Sequence, residues 1–374
     1  MSAIPITLDA LVDALTIRDL TDPTQGPHAM QLLVDAAVAS LGAQPELHLS
    51  RTSPVVPVEE NYDRLGYAAD AIARDSRYTR YVSDTHMLRG HTSAGIPSAL
   101  RRIAADPDAD DVLLALPGIC HRRDAIDRLH TGSPHQLDLW RLRRDAPRLD
   151  VSDLAHMVDA VLAALLPGKP WRWTPAQHPY TLEGRQIDVI DNGETLIEVA
   201  ECGLAAPTVL AMAGLDADQW SGLALGIGLD RVLMLRKGIP DIRLLRSTDP
   251  RITAQMLDLS PYRSVSDLPP ARRDLSVAVT GGSDAETLGD RVREALGSEA
   301  NLVEEVAVLS TTPYDDVPTA ARERLGIRPG QDNILLRVVL RPMDRTMTAD
   351  EANALRDRIY DALHDGGRTV AVED

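Results

Sequence analysis

The sequence predicts a mixed α+β protein in two parts: a large domain whose helices interrupt a largely antiparallel sheet, then a smaller domain of alternating strands and helices. Three observations carry this. Apolar residues recur with the helical period in well-separated segments, short strand-like runs lie between them, and one proline-rich stretch without any period divides the chain near residue 260. With 374 residues, 44% of them hydrophobic, the chain can fill two cores.

Pro27 to Gly42, PHAMQLLVDAAVASLG, reads as a helix with Met30, Leu33, Val34, Ala37, Val38 and Leu41 on one face and a glycine to end it. Leu47 to Val56 carries strand-like residues. Asp150 to Pro167 is a second helix: Leu154, Met157, Val158, Val161, Leu162 and Leu165 keep the 3.6 period, Ser152 or Asp150 caps it, and Pro167-Gly168 stops it. Asp111 to Leu116 and Pro134 to Arg143 are strands on either side of a charged stretch. That stretch, CHRRDAIDRLHTGSPHQLDLWRL from Cys120 to Leu142, shows neither period across its middle.

Ser260 to Arg273, SPYRSVSDLPPARR, is read as a linker, giving a first domain over 1–259 and a second over 274–374. In the second, Asp274 to Val279 alternates as a strand. Asp284 caps a helix bearing Leu288, Val292 and Leu296 that ends at Gly297. Leu302 to Leu309 and Ile334 to Leu340 are strands. Thr348 with Glu351 forms a capping box for a helix carrying Ala352, Leu355, Ile359 and Leu363, stopped by Gly366. Thr369 to Val372 is expected to be a last strand, and the order βαββαβ is the ferredoxin-like split βαβ.

Composition narrows the function. A net charge of -17 argues against a protein that coats nucleic acid through a broadly basic face. Two cysteines, Cys120 and Cys202, form neither a disulfide framework nor a zinc cluster. No run is long and apolar enough for a bilayer, and MSAIPITLDALVDALTIRDL lacks a basic start and an uninterrupted apolar centre, so the expectation is a cytoplasmic protein with no membrane partner. Lysine occurs only at Lys169 and Lys237, and phenylalanine not at all.

Three stretches converge on one family. NYDRLGYAADAIARDSRYTRYVSDTHMLRGHTSAG, Asn61 to Gly95, contains Leu88-Arg89, then His91-Thr92-Ser93. The charged stretch reads close to Y-R-R-D-x-I-D-x-x-H followed by H-Q-L-E. Ser221 to Ser247, SGLALGIGLDRVLMLRKGIPDIRLLRS, matches a GLGLER and GIPDIRLF pattern. In this order and at these distances they resemble phenylalanyl-tRNA synthetase of the single-chain, mitochondrial type. DLPPARRDLSVAV and RPMDRTMTADEANAL extend the likeness to its ferredoxin-fold anticodon-binding domain. The resemblance implies a class II aminoacyl-tRNA synthetase catalytic domain with an antiparallel sheet.

It also implies roles. Such an enzyme joins an amino-acid carboxylate to the α-phosphorus of ATP, so it must position two anions and neutralise developing charge. Arginine's planar fork suits phosphate. By resemblance Arg122 grips the α-phosphate and the carboxylate, Arg231 meets the γ-phosphate, His130 reaches the phosphates, and Asp124 holds the nucleotide. Gln136 and Asp138, with His91 and Ser93, fix the ammonium end of the amino acid, and Asp138 is one methylene shorter than the family's Glu. His178 and Tyr180 stand where the family has the F-P-F rings, Ala224 leaves room for a ring, and Gly226 and Gly228 let the backbone approach amino acid and nucleotide. Glu198, in a stretch like the family's L-E-V, is a candidate carboxylate for Mg²⁺ on ATP, the other reading being a structural carboxylate on a strand. Leu225 replaces a phenylalanine and Glu201 a glycine. The glycines of GIGLDR do not make a dinucleotide fingerprint, since Arg231 stands where its last glycine would be.

The expected activity is therefore formation of an aminoacyl-adenylate from ATP and phenylalanine, followed by transfer to tRNA, by a monomer or homodimer. The alternative is a biosynthetic paralogue that passes an aromatic acyl group to another acceptor. From Arg272 onward 13 arginines face 20 acidic residues, a poor balance for a phosphate binder. Phenylalanine is missing from pocket, core and motif positions alike, which suggests avoidance of the codon itself, as suits a back-up or resistance form made when charged phenylalanyl-tRNA is scarce. Drift under coding bias is the bland reading.

Overall fold

The computed structural model describes residues 4–43, 45–191, 195–265 and 268–367. It divides into two units, one of Met1–Arg122, Ser133–Pro240 and Thr253–Tyr262, the other of Arg123–Gly132, Asp241–Ile252 and Arg263–Asp374. Among the described residues no helix is long and apolar enough to cross a membrane.

The first unit runs α1 (Leu8–Thr16), α2 (Ala29–Ala39), β1 (Glu46–Leu49), β2 (Val55–Pro57), α3 (Val58–Asn61), β3 (His86–Leu88), α4 (Ile96–Ala104), β4 (Asp111–Ile119), β5 (His135–Arg144), α5 (Val151–Leu165), β6 (Trp171–Pro175), β7 (Thr181–Asp191), β8 (Thr195–Ala205), α6 (Pro207–Met212), β9 (Trp220–Gly228) and α7 (Leu229–Lys237). Seven strands form one sheet in the order β1-β4-β5-β9-β8-β7-β6. Only β1 pairs in parallel, with β4, so the sheet is antiparallel across its centre.

Both long helices expected here are present. Asp150 accepts hydrogen bonds from the N–H groups of Ser152 and Asp153, and Asp153 answers at the Asp150 N–H, so α5 begins with a reciprocal box that satisfies its first amides. Its apolar stripe Leu154, Met157, Val158, Val161, Leu162 and Leu165 is buried. Ile96, Leu100 and Ile103 of α4, Val209 and Leu210 of α6, and Leu114, Trp140 and Trp220 of the sheet share one core. Strand β7 escapes the period-2 pattern because its pairing with β8 shifts register between Leu182 and Arg185, which breaks the alternation of faces.

After the single turn α8 (Pro250–Thr253), the chain forms β10 (Ala271–Thr280), α9 (Ala285–Leu296), β11 (Val303–Pro313), α10 (Thr319–Leu325), β12 (Gln331–Leu340) and α11 (Ala349–Leu363). β12 lies between β10 and β11, antiparallel to both, which is the split βαβ arrangement. α9 is capped by Asp284 and α11 by the Thr348–Glu351 box. Val277, Leu288, Val292, Leu336, Ile359 and Leu363 fill the core. The strand expected at Thr369 to Val372 lies outside the described residues.

The middle of the charged stretch belongs to this second unit. Ile126 joins its core and accepts at its carbonyl a 3.0 Å hydrogen bond from the Val306 N–H. Arg123 pairs with the fully buried Asp290 at 2.5 Å, and Arg293 donates to the carbonyls of Asp124 and Ala125. One isoleucine among charges has no period to announce it, so the sequence shows only an irregular loop.

Candidate active site

The floor of the site is the centre of the sheet. On β5, Gln136, Asp138 and Trp140 alternate onto one face, and opposite them on β9 stand Gly228, Gly226 and Ala224. Beyond these on β8, Glu201 faces Gly226 and Gly203 faces Ala224. Three glycines and an alanine leave the middle of this face without side-chain bulk. The result is a small pocket lined by Asp138, His178, Tyr180, Thr181, Glu201, Cys202, Ala224 and Gly226.

Asp138 is buried and fully engaged. Thr92 Oγ1 donates to Oδ2 at 2.6 Å, Ser93 Oγ to Oδ1 at 2.9 Å, and Trp140 Nε1 to Oδ1 at 3.3 Å. Burial raises its carboxyl above the usual aspartate range, and the three donors work against that rise. The Thr92 N–H donates to Gln136 Oε1 at 3.2 Å, so one short turn before α4 orients both polar side chains of β5.

His91 stacks on Tyr67 with ring centres 6.0 Å apart and lies 3.5 Å from Asn61 Nδ2 through Nε2. Burial, with Arg122 and Arg89 nearby, depresses the imidazole to about 3, so it is neutral at physiological pH. Tyr67 also approaches Tyr180 at 6.3 Å, and Tyr180 stacks on Trp140 at 6.2 Å and lies tilted against His178 at 5.6 Å. The pocket wall is thus a set of rings with polar edges. His178 Nε2 pairs with Glu201 Oε1 at 3.0 Å, and its Nδ1 lies 3.3 Å from Thr181 Oγ1.

Two arginines act on the next carboxylate along β8. Arg231 donates to the Glu198 carbonyl at 3.1 Å and lies 4.0 Å from its carboxylate. Burial and the negative Glu201 raise the Glu198 carboxyl, while Arg231 and Arg122 lower it. Arg122 is held by a 2.7 Å bond from Nε to the Gly90 carbonyl. The sheet and the turn before α4 therefore bring together His91, Ser93, Arg122, Gln136, Asp138, His178, Tyr180, Glu198, Ala224, Gly226, Gly228 and Arg231 in the first unit. Asp124 and His130 fall in the second unit, where His130 Nδ1 bonds Asp127 at 2.7 Å and Asp124 Oδ1 accepts from the Ala125 N–H at 3.1 Å.

Among the described residues no group of three or more His, Cys, Asp or Glu is arranged to hold a metal. Magnesium carried on a nucleotide needs only one or two carboxylates beside the phosphates, and the mutual repulsion of Glu198 and Glu201 is what such a cation relieves. Trp140, Tyr67, Asn61 and Thr92 join the site without having been assigned to it from sequence. Thr92 alone had a signal, between the two site residues His91 and Ser93. Tyr67 and Trp140 carry no local pattern separating them from core aromatics.

An antiparallel sheet with a pocket over its centre and a buried carboxylate at its floor fits the catalytic core of a class II synthetase. The profile of the tRNA synthetases class II core domain (F) matches residues 46–256, and the chain belongs to this family. It is 36% identical over 195 residues to the phenylalanine–tRNA ligase alpha subunit of Prochlorococcus marinus, covering 52% of this chain and 56% of that one. It is 27% identical over 327 residues to the chloroplastic/mitochondrial phenylalanine–tRNA ligase of Arabidopsis thaliana, with 83% and 70% covered. The mitochondrial phenylalanine–tRNA ligase of Saccharomyces cerevisiae is 25% identical over 390 residues, with 83% and 80% covered. The chain spans about half the length of the alpha-subunit relatives it matches. The cytoplasmic expectation is overturned by these comparisons, since the eukaryotic relatives matched over most of the chain are organellar proteins. An organelle's interior is as aqueous as the cytosol, so composition alone does not separate the two.

Proposed function

We propose that the protein is a phenylalanine–tRNA ligase. A phenylalanine carboxylate oxygen attacks the α-phosphorus of ATP, the bond to the β-phosphate breaks, and pyrophosphate leaves. A hydroxyl of the terminal adenosine of tRNA then attacks the acyl carbon and AMP departs. The observation that carries this reading is the fixing of two guanidinium groups in the unit that holds the amino-acid pocket: Arg231 donates to the Glu198 carbonyl at 3.1 Å and Arg122 to the Gly90 carbonyl at 2.7 Å. Two fixed cations next to a carboxylate-floored cavity suit an anionic triphosphate meeting an amino acid.

The side chains divide the work. Asp138, held by Thr92 and Ser93, receives the ammonium group, with Gln136 beside it. Arg122 faces the reacting carboxylate and α-phosphate, and Arg231 the far phosphates. Gly226 and Gly228 let the substrates lie against the backbone, and Ala224 seats the ring. Mg²⁺ on the nucleotide, held through Glu198, supplies further neutralisation of phosphate charge.

The tRNA half draws support from the relatives matched over most of the chain, each named as a phenylalanine–tRNA ligase. In the second unit Arg337 pairs with Asp274, Arg341 with Glu304 and Arg345 with Glu351. The first and last of these pairs are solvent-accessible, where ion pairs are weak, so phosphate can displace their carboxylates. The biosynthetic alternative is not favoured.

The test is phenylalanine-dependent ATP–pyrophosphate exchange followed by charging of total tRNA, with Arg231→Ala as control. Exchange and charging by the wild type, with both reduced about 100-fold or more in the variant, is the expected result. Exchange without charging would transfer the protein to the biosynthetic reading.

A further inference from the structure

The side-chain amide of Gln136 is held in one orientation. Its Oε1 accepts two hydrogen bonds, from the Thr92 N–H at 3.2 Å and from the Cys120 thiol at 3.4 Å. A backbone N–H can only donate, so the atom facing Thr92 is the amide oxygen and the nitrogen is turned away. Burial pushes the Cys120 thiol up to about 11, so the sulfur keeps its proton at physiological pH and stays a donor. An amide oxygen has two acceptor positions, and the protein itself occupies both. What the half-buried Gln136 offers a substrate is therefore its Nε2, which donates and cannot accept. An ammonium group also only donates, so the two do not match. Asp138, two residues further along the same face of β5, is the acceptor an ammonium needs.

We infer, on the basis of the ligase reading above, that Gln136 is a catalytic residue donating through Nε2 to the carboxylate of the amino acid, and that the ammonium group goes to Asp138 without it. This departs from the ammonium role that the family resemblance implies for Gln136. The order of groups on the sheet supports it. Asp138 stands opposite Gly226, and Gln136 opposite Gly228, the residue before α7, whose first turn carries Arg231. From Asp138 through Gln136 to Arg231 the side chains run from the ammonium end towards the phosphates, and the reacting carboxylate belongs between the two. One carboxylate oxygen attacks the α-phosphorus. The other accepts from Gln136, becomes the acyl carbonyl, and gathers negative charge when the tRNA hydroxyl adds to the acyl carbon before AMP leaves. The amide gives up no proton in either step, and a donor already aimed at that oxygen stabilises the charge as it forms.

The experiment is calorimetry on the wild type, Gln136→Glu and Gln136→Met with three ligands: phenylalanine, 3-phenylpropanoate, which lacks the ammonium, and 2-phenylethylamine, which lacks the carboxylate. Gln136→Glu keeps an oxygen for Thr92 and Cys120 while exchanging the donors for a negative charge. It should weaken phenylalanine and 3-phenylpropanoate about tenfold or more and leave 2-phenylethylamine as tight or tighter. Gln136→Met should weaken the acid and spare the amine, and should lower kcat of phenylalanine-dependent exchange by about 100-fold. Phenylalanine bound by Gln136→Glu as tightly as by the wild type, or a loss in Gln136→Met that falls on the amine and spares the acid, would overturn the inference. A wild type that binds the ligands but performs no exchange would defeat the ligase reading, with the pattern of binding still deciding this one. A wild type that does not bind phenylalanine would remove both.

Discussion

Thr92 Oγ1 donates to Asp138 Oδ2 at 2.6 Å, and the N–H of the same residue donates to Gln136 at 3.2 Å. One residue of the turn before α4 thus sets two side chains two positions apart on β5. The pocket floor is preorganised by a local turn meeting a central strand, and no substrate is needed to arrange it.

That arrangement keeps a carboxylate where burial opposes its charge. The folded Asp138 carboxyl titrates above its unfolded value of about 3.9, so the folded state holds the proton longer. Its contribution to stability is complete below that unfolded value and is lost as pH rises through the raised folded one. Asp138→Asn removes the loss, and its melting temperature at pH 7 to 8 should equal or exceed that of the wild type. Exchange activity should fall about 10- to 100-fold, because the ammonium loses its charged acceptor. Thermal melts and exchange assays on one preparation test both, and a variant that is less stable and equally active would refute the assignment.

His91 works with the opposite sign. Its imidazole titrates at about 3 in the folded protein against about 6.5 when unfolded, so below pH 6.5 the unfolded chain takes up a proton that the native site refuses. Stability therefore falls as pH drops from 6.5 towards 3, by about 2 kcal/mol between pH 7 and pH 5. Urea unfolding at the two pH values should show that loss in the wild type and a smaller one in His91→Gln. The same neutral imidazole contributes no limb to a pH–activity profile between 5 and 8.

The sequence is most legible where local rules act alone. The α5 and α11 boxes, the α9 cap and the apolar stripes are written in neighbouring residues, and the structure puts them within a residue or two of their expected places. Much of the site could also be named, since Gln136 and Asp138 share a strand face by period alone. Tyr67, Trp140 and Asn61 could not, because they enter the site through contacts between segments far apart in the chain. Ile126 escaped for the same reason, as a core residue of the second unit contributed from a charged loop of the first half of the chain. Strand β7 was hidden by its register shift.

Two glycines near the pocket should respond differently to one added methyl. A Cβ at Gly203 would sit 2.7 Å from Thr181 Cβ and 2.9 Å from the Leu182 carbonyl oxygen, forcing β7 and β8 apart beside Tyr180. Gly203→Ala should destabilise by about 1 to 3 kcal/mol, read as a lowered urea midpoint. A Cβ at Gly226 meets nothing nearer than 3.9 Å, so Gly226→Ala should melt like the wild type. Its methyl enters the space meant for substrate and should raise KM for the amino acid by about tenfold. Similar melting losses in both variants would show that Gly226 is a packing glycine.

The chain contains no phenylalanine, and the absence extends beyond the pocket. Leu225 is 1% exposed in the centre of β9, pairs with Leu139 and Cys202, and faces away from substrate. A change of substrate alone would leave such a core position free to carry phenylalanine, so the absence points to translation. Phenylalanine codons stall ribosomes when charged phenylalanyl-tRNA runs low, and under the proposed ligase activity a chain free of them would continue to be made when its own product is short. Placing phenylalanine at the exposed Leu182, Leu196 and Leu309 adds codons without disturbing the core. During phenylalanine limitation, pulse-labelled synthesis of the wild type should persist while that of the triple variant drops several-fold. Equal synthesis of the two would leave coding bias as the explanation and remove the reading of the protein as a back-up or resistance form.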